Sequence, residues 1–406
     1  MPYINLLIKP ASSLCNMRCH YCFYADEAAN REIPSMGVMS ETTAELLVTR
    51  ALATAGMQGG VGFTFQGGEP TIAGKQFFRA FIEIVKRLNT GNVSVNYRIQ
   101  TNGLTIDEEW VSFFAKNDFL VGISVDGDKT LHDEFRVDTA GKGTWTRIQK
   151  NIRLLQQMGV ECNLLCVVTR RCAKSAVRCY HAMKKTGVQF LQFIPCLDPL
   201  GEERGRRKWS LTPKDYGEFL CALFDEWYRD WKSGNYTSVR LFDDYVHLAM
   251  GQPGGTCATS GMCGGYFAVE ADGSVYPCDF YVLDNWKLGN LRDDSFEKLR
   301  EGACLQRFLQ DSGNRPAECK ECTWKTLCSG GCKRDWTWME GQPHNYYCAS
   351  FQKLFAHAMP RIQEIASAEL HMRKMLIDDQ MNSRTFRKPR MSCYLFGEKT
   401  MQLIAL

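Results

Sequence analysis

The sequence predicts an α/β fold: an open, partial (β/α)6 barrel followed by a cysteine-rich segment cross-linked by metal. Three observations predict it. Strand-like and helix-like segments alternate through the first two hundred of 406 residues. From about Gly251 glycine and cysteine displace that alternation. The chain carries 19 cysteines, an odd number that cannot pair completely in disulfides, and many stand at short fixed spacings of the kind that bind metal.

The expected strands are Ile4–Lys9, Gly62–Gln66, Ser94–Gln100, Val121–Val125, Cys162–Thr169 and Phe190–Pro195. Each is short, rich in β-branched or aromatic residues and bounded by turn formers. Helical patterns lie between them. Ser40–Ala55 is rich in Leu and Ala. Thr105 and Glu108 read as a capping box ahead of Trp110–Lys116. Trp145, Ile148, Ile152 and Leu155 recur at helical spacing, with Gly159 as the stop. Six βα units in succession imply a parallel sheet with right-handed crossovers. They are too few for a closed eight-stranded barrel and suit a partial one.

A bridging helix follows, with Thr212 as N-cap and Pro213 in the first turn. Its apolar face runs through Phe219, Leu220, Leu223, Phe224, Trp227 and Trp231. Periodicity is then poor up to about Cys348. Phe351–Met375 reads as helical, with Pro360 as a kink or restart. The tail beyond, with Arg384, Arg387, Lys388 and Arg390, shows no pattern.

Composition bounds the partners. Hydrophobic content of 45% and charged content of 23% are ordinary for a globular chain. A net charge of +4 is too small to imply nucleic acid. The basic run of Arg204, Arg206, Arg207 and Lys208 reads as a solvated loop. No secretory signal is visible, and no apolar run approaches the ~18 residues that span a bilayer. The expectation is a cytoplasmic protein with neither nucleic acid nor membrane as partner.

Cys15, Cys19 and Cys22 form Cys-x3-Cys-x2-Cys directly after the first strand. Three thiolates on one loop can hold three irons of a [4Fe–4S] cluster and leave the fourth open to an exogenous chelator. A three-thiolate zinc site is the alternative. The motif, the βα pattern and Gly67-Gly68-Glu69-Pro70 after the second strand together resemble the radical S-adenosylmethionine superfamily. The resemblance implies a TIM-like partial barrel, with S-adenosylmethionine on the open iron and the backbone near Gly68 against its amino group. It also implies that Tyr21 lies in the cofactor loop and that Leu197 lies near the adenine. Ser124 and Asp126 end the fourth strand, where α/β sites are built, and could reach the ribose. Arg136 could pair with the cofactor carboxylate. Thr101-Asn102-Gly103 reads equally well as a plain turn.

A second array comprises Cys257, Cys263, Cys278, Cys319, Cys322, Cys328, Cys332 and Cys348. Eight thiolates can ligate two [4Fe–4S] clusters, or zinc at similar spacings. The pattern resembles the SPASM domain of radical enzymes that modify peptides, which implies two auxiliary clusters and three in all. By that resemblance Cys257, Cys263, Cys278 and Cys332 hold the first, and Cys319, Cys322, Cys328 and Cys348 the second. The remaining cysteines, Cys162, Cys166, Cys172, Cys179, Cys196, Cys221, Cys304 and Cys393, lack such spacing and read as ordinary thiols. The implied domains are 1–235, the barrel with its bridging helix; 236–350, the auxiliary cluster domain; and 351–406, a helix and tail.

Tyr276-Pro277-Cys278-Asp279-Phe280-Tyr281 narrows the resemblance, over about residues 1–370, to anaerobic sulfatase-maturating enzymes. These convert a Cys or Ser of a nascent sulfatase to Cα-formylglycine without oxygen. The resemblance implies Asp279 as catalytic base, an unfolded sulfatase segment as substrate, and a flavodoxin or ferredoxin as electron donor. Asp279 could instead accept hydrogen bonds near a cluster, and Tyr24 could line the substrate cavity or simply pack. Two rivals remain at this level. One is another SPASM-type maturase making thioether or carbon–carbon crosslinks, disfavoured because the first strand begins almost at Met1 and leaves no room for an N-terminal peptide-binding extension. The other is a non-catalytic iron–sulfur carrier or zinc-stabilised binding protein, which leaves the three-cysteine loop beside Gly67-Gly68 unexplained.

Overall fold

A computed structural model of the chain describes residues 3–382. The basic tail and Cys393 lie outside the described residues. The chain divides into two compact units. One gathers Cys196–Ser210 and Met262–Asn314 onto the N-terminal stretch ending at Val167. The other gathers Val168–Pro195, Leu211–Gly261 and the stretch beginning at Arg315.

In the first unit five strands pair in parallel, in chain order: β1 (Tyr3–Ile8), β2 (Gly60–Phe65), β3 (Ser94–Thr101), β4 (Phe119–Ser124) and β5 (Cys162–Val168). Alternation explains them. Ile4, Leu6 and Ile8 of β1, and Val61, Phe63 and Phe65 of β2, are buried at 2% exposure or less. The helices Glu41–Ala55, Glu108–Lys116 and Trp145–Gln157 fall between the strands as expected, and Gly74–Leu88 is a further one that the pattern did not single out. Ser40 caps the first of them by accepting from the Thr43 amide. The expected capping box at Thr105 does not form. Asp107 caps that helix instead, accepting from the Trp110 amide at 2.9 Å, while the Thr105 hydroxyl lies 2.5 Å from that of Thr71. A carboxylate beside the first turn also meets the positive end of the helix, so it wins the position.

The second unit carries β6 (Phe190–Pro195), paired in parallel with β7 (Ser238–Val239). Thr212 caps the bridging helix Pro213–Lys232, as expected. The helix Cys348–Asn382 packs along it. Ser350 donates to the Pro213 carbonyl at 2.6 Å, and Arg361 reaches Asp225 at 2.7 Å. Pro360 sits inside this helix and does not restart it.

The cysteine-rich stretch is more regular than its sequence suggests. In the first unit β8 (Phe267–Val269) pairs in parallel with β1, then β9 (Ser274–Tyr276) and β10 (Gly289–Asn290) continue the sheet antiparallel. Helices Phe296–Glu301 and Ala303–Gly313 follow. In the second unit a helix, Arg240–Ala249, and a hairpin of β11 (Trp336–Met339) and β12 (Gln342–Asn345) also escaped the pattern. Strands of two to four residues are too short to display a period.

A buried ion pair ties β8 to the segment after β1. Arg31 meets Glu270 at 2.6 Å with both side chains fully buried, and the Tyr24 hydroxyl donates to the same carboxylate. Removing one member of such a pair leaves a bare buried charge. Glu270→Gln is therefore expected to cost about 3–5 kcal/mol. Denaturant unfolding of the anaerobically prepared protein measures it, and an unchanged midpoint would refute the role given to this pair.

Candidate active site

The loop after β1 carries Cys15, Cys19 and Cys22, each half-buried. Short turns fold it: Ser12 N–H donates to Lys9 O at 3.1 Å, Leu14 to Ala11 at 3.0 Å and Cys22 to Cys19 at 3.2 Å. Arg18 and His20 amides donate to Val137 and Phe135 carbonyls at 2.8 and 3.1 Å, pinning its far side. Its near side rests on the turn after β2. There Gly68 N–H donates to Ser12 O and Glu69 N–H to Leu14 O, both at 2.8 Å. The approach demands glycine. A Cβ on Gly68 would lie 2.3 Å from the Leu14 carbonyl oxygen, and Gly67 holds φ +135°.

The thiols suit a cluster. Each of the three lies close enough to feel another's charge. Burial pushes Cys15 up to about 11 and Cys19 up to about 12. Unmetallated, these groups stay protonated, so binding metal releases protons. Three soft donors on one loop fit an iron–sulfur cluster with one iron free for another ligand.

Glu69 organises the turn. It is fully buried and accepts from Thr71 N–H and hydroxyl at 3.1 and 2.6 Å, from Thr101 hydroxyl at 2.7 Å and from Asn102 N–H at 2.7 Å. Burial pushes its pKa up, against those bonds. Asn102 Nδ2 then donates to Asn16 at 2.7 Å and lies 3.8 Å from Cys15 Sγ. Thr101-Asn102-Gly103 is thus part of the loop's support.

The expected cofactor residues divide into groups. Tyr21, Asp126 and Arg136 come together. Asp126 accepts from Tyr21 hydroxyl and from Arg136 Nε at 3.1 Å through one oxygen, and from Val167 N–H at 3.0 Å through the other. Arg136 also stands 3.8 Å from Cys19 Sγ. Ser124 accepts from Gln100 at 3.1 Å. Leu197 is half-buried beside Cys196, whose thiol feels the Asp126 charge. Leu200 N–H donates to Asp26 at 2.8 Å, so this segment reaches the helix that follows the cluster loop.

Asp279 is 7% exposed and accepts from the Tyr266 hydroxyl. The same hydroxyl lies 3.3 Å from Cys278 Sγ. The Phe280 ring packs edge-on against Phe23, centroids 4.8 Å apart, which sets the Asp279 turn on the helix after Cys22. Sequence reading missed Lys9, Arg31, Glu270 and Tyr266 as members of this region. A lysine ending an apolar strand was the one local signal.

In the second unit Cys319, Cys322, Cys328 and Cys348 feel one another's charges. Burial pushes Cys319 up to about 11 and Cys328 up to about 12. Four soft donors within one unit fit a completely ligated metal centre. Cys172 and Cys179 are buried thiols with sulfurs 3.3 Å apart.

Comparison with known proteins agrees with this geometry. The Radical SAM superfamily profile matches residues 10–171, and that of the SPASM iron–sulfur cluster-binding domain matches 257–323. The chain is 44% identical over 368 residues to the cysteine-type anaerobic sulfatase-maturating enzyme of Clostridium novyi, covering 90% of this chain and 98% of that one. It is 29% identical to the serine-type enzyme of Bacteroides thetaiotaomicron, covering 88% and 90%. The structure of native anSMEcpe with bound AdoMet and Kp18Cys peptide aligns with TM-score 0.86 at 43% identity, covering 90% and 100%. The fold is therefore an α/β one with a TIM-like radical S-adenosylmethionine barrel and a SPASM domain.

Gly68→Ala is expected to force the turn off the cluster loop, costing about 1–3 kcal/mol and lowering the iron retained after anaerobic reconstitution. Wild-type iron content and stability would show that the approach is not required.

Proposed function

This chain belongs to the anaerobic sulfatase-maturating enzymes of the radical S-adenosylmethionine superfamily, and from that premise we propose that it oxidises a cysteine of a sulfatase polypeptide to Cα-formylglycine. The observation that carries the reading is the contact of the Asp279 turn with the helix following the three-cysteine loop. A base and a radical-generating loop then share one unit. Cysteine is favoured over serine as target by identities of 44% against 29% to the two named types.

Cys15, Cys19 and Cys22 hold the cluster. The backbone at Gly68, with Tyr21, Ser124, Arg136 and Leu197, frames S-adenosylmethionine. When bound, the two together supply a carbon radical that removes a hydrogen atom from the target Cβ. Asp279 takes the proton of the target thiol. Tyr266 holds one oxygen of that carboxylate, so the other is the one left to act. The second electron would pass to an auxiliary iron–sulfur cluster, leaving a thioaldehyde, and water then replaces its sulfur, which leaves as hydrogen sulfide, to complete the aldehyde. Cys257, Cys263, Cys278, Cys319, Cys322, Cys328, Cys332 and Cys348 would hold two auxiliary clusters, giving three in all. A flavodoxin or ferredoxin supplies electrons. Among the described residues no helix is long and apolar enough to cross a membrane. The cytoplasm, where a nascent sulfatase is met, is the proposed place of action.

Two experiments test this. A peptide containing Cys-x-Pro-x-Arg, incubated anaerobically with reconstituted protein, S-adenosylmethionine and dithionite, is expected to lose about 18 Da while 5′-deoxyadenosine is released. Deoxyadenosine without any change in the peptide would refute the substrate. Asp279→Asn is expected to spare cofactor cleavage and suppress aldehyde by about 100-fold or more; an undiminished yield would remove Asp279 from the mechanism.

A further inference from the structure

Lys9 is the residue of this region that the reading above does not use. It follows β1 directly. Its amide donates to the Val269 carbonyl at 2.8 Å and its carbonyl accepts from Ser12, so its backbone is fixed between β8 and the cluster loop. Its Cβ lies against Gly67. The side chain is fully buried, and Nζ sits 3.7 Å from the centre of the Tyr24 ring. Nζ has no hydrogen-bond partner among the described residues. A buried amine in that state is costly unless charge or a ligand compensates.

The surroundings identify the state of the amine. Asp279, Glu270 and Glu27 all act on it as anions, and Arg31 as the one cation. Burial pulls its pKa down, and Asp279 is the strongest influence opposing that. Three carboxylates against one guanidinium work to keep the amine charged, against the burial that pulls its pKa down. Two of these carboxylates already hold other donors, while Glu27 faces the amine as a buried anion. Glu270 holds Arg31 at 2.6 Å, Ala271 N–H at 3.1 Å and the Tyr24 hydroxyl. Asp279 holds Tyr266. The Lys9 N–H donors are free to meet an anion that forms during the reaction, beside the base that forms it.

We propose that Lys9 is a further catalytic residue of this site, its ammonium holding the thiolate of the target cysteine. The proposal rests on the role given to Asp279. The step balances: the S–H bond breaks, the proton goes to the Asp279 carboxylate and the electron pair stays on sulfur. One negative charge moves from oxygen to sulfur, and a cation that feels the Asp279 charge serves both states. Such a donor, acting in a buried site on charge that develops there, is the kind of group whose loss is felt in turnover more than in binding.

The test compares Lys9→Met, Lys9→Gln and Lys9→Arg in reconstituted holoenzyme acting on the Cys-x-Pro-x-Arg peptide. Lys9→Met is expected to lower kcat for aldehyde about 100-fold with KM within about threefold of wild type. Deoxyadenosine release continues, so more cofactor is cleaved per aldehyde formed. Lys9→Arg is expected to recover at least about tenfold of that loss, because it keeps the charge. A kcat for Lys9→Met within about threefold of wild type overturns the proposal, as does a Lys9→Arg enzyme no better than Lys9→Met. If Lys9→Met retains no iron, Lys9→Gln decides, since its amide keeps N–H donors without charge. A wild-type rate in Lys9→Gln overturns the role, and the uncoupled profile supports it. Wild-type protein that leaves the peptide unchanged would sink the functional reading itself. Wild-type turnover with an indifferent Lys9→Met would sink only the role of Lys9.

Discussion

A carboxylate with no access to water has to find its hydrogen bonds inside the protein, and Glu69 finds four. They come from the ends of two neighbouring strands, so satisfying one buried group fixes the turn after β2 against the turn after β3. The turn so fixed offers Gly68 and Glu69 amides to the carbonyls of the cysteine loop. That loop buries Ala11, Met17 and Tyr21, and those bonds satisfy its backbone carbonyls beside them. The Gly-Gly pair exists because the two backbones approach to distances that no Cβ allows. The cluster loop is therefore positioned by a strand-end polar network, before any metal contributes.

Two further buried networks flank it with different electrostatic characters. Around Asp126 the charges nearly cancel: one carboxylate, one guanidinium, and a tyrosine hydroxyl donating to the carboxylate. Such a closed set is rigid and self-satisfied, and it braces Cys19 through Arg136 at 3.8 Å. The set around Lys9 is not closed. It has more carboxylates than cations, and its ammonium faces an aromatic ring. A protein can keep a partly satisfied buried network where function requires it and compensate with stability elsewhere.

Much of this was legible in the sequence, for physical reasons that also say where legibility stops. Short apolar runs bounded by turn formers write a strand into its own residues, which is why β1 to β6 could be read within two residues at each end. The Cys-x3-Cys-x2-Cys loop and the Gly-Gly turn are local, so their spacing alone carries meaning. The ion pair of Arg31 with Glu270 spans 239 positions, and nothing near either residue announces the other. Lys9 is worse concealed, since a lysine after an apolar strand is ordinarily a solvated end. β8 and β9 are three residues each, below the length at which periodicity shows. Asp107 displaced Thr105 as a cap because its carboxylate also meets the positive end of the helix, a preference that the sequence pattern of a capping box does not display.

In the second unit the four cysteines proposed as metal ligands sit where apolar packing is sparse. Between residues 315 and 347 the buried hydrophobic side chains other than proline are Leu327 and Tyr347. Two such groups contribute on the order of 3–6 kcal/mol, against a backbone ordering cost of about 1–2 kcal/mol for each residue fixed. Apolar burial alone cannot order that segment. Cys319, Cys322 and Cys328 lie on its short turns, and Cys348 opens the long helix that packs on Pro213–Lys232. Ligating these four would join the irregular segment to the best-packed element of the unit. Burial raises Cys319 and Cys328, so the thiols release protons only when metal takes their place. On the proposed ligation, metal loading and the ordering of this segment would be one equilibrium, which is why cysteines rather than a hydrophobic pattern mark it in the sequence.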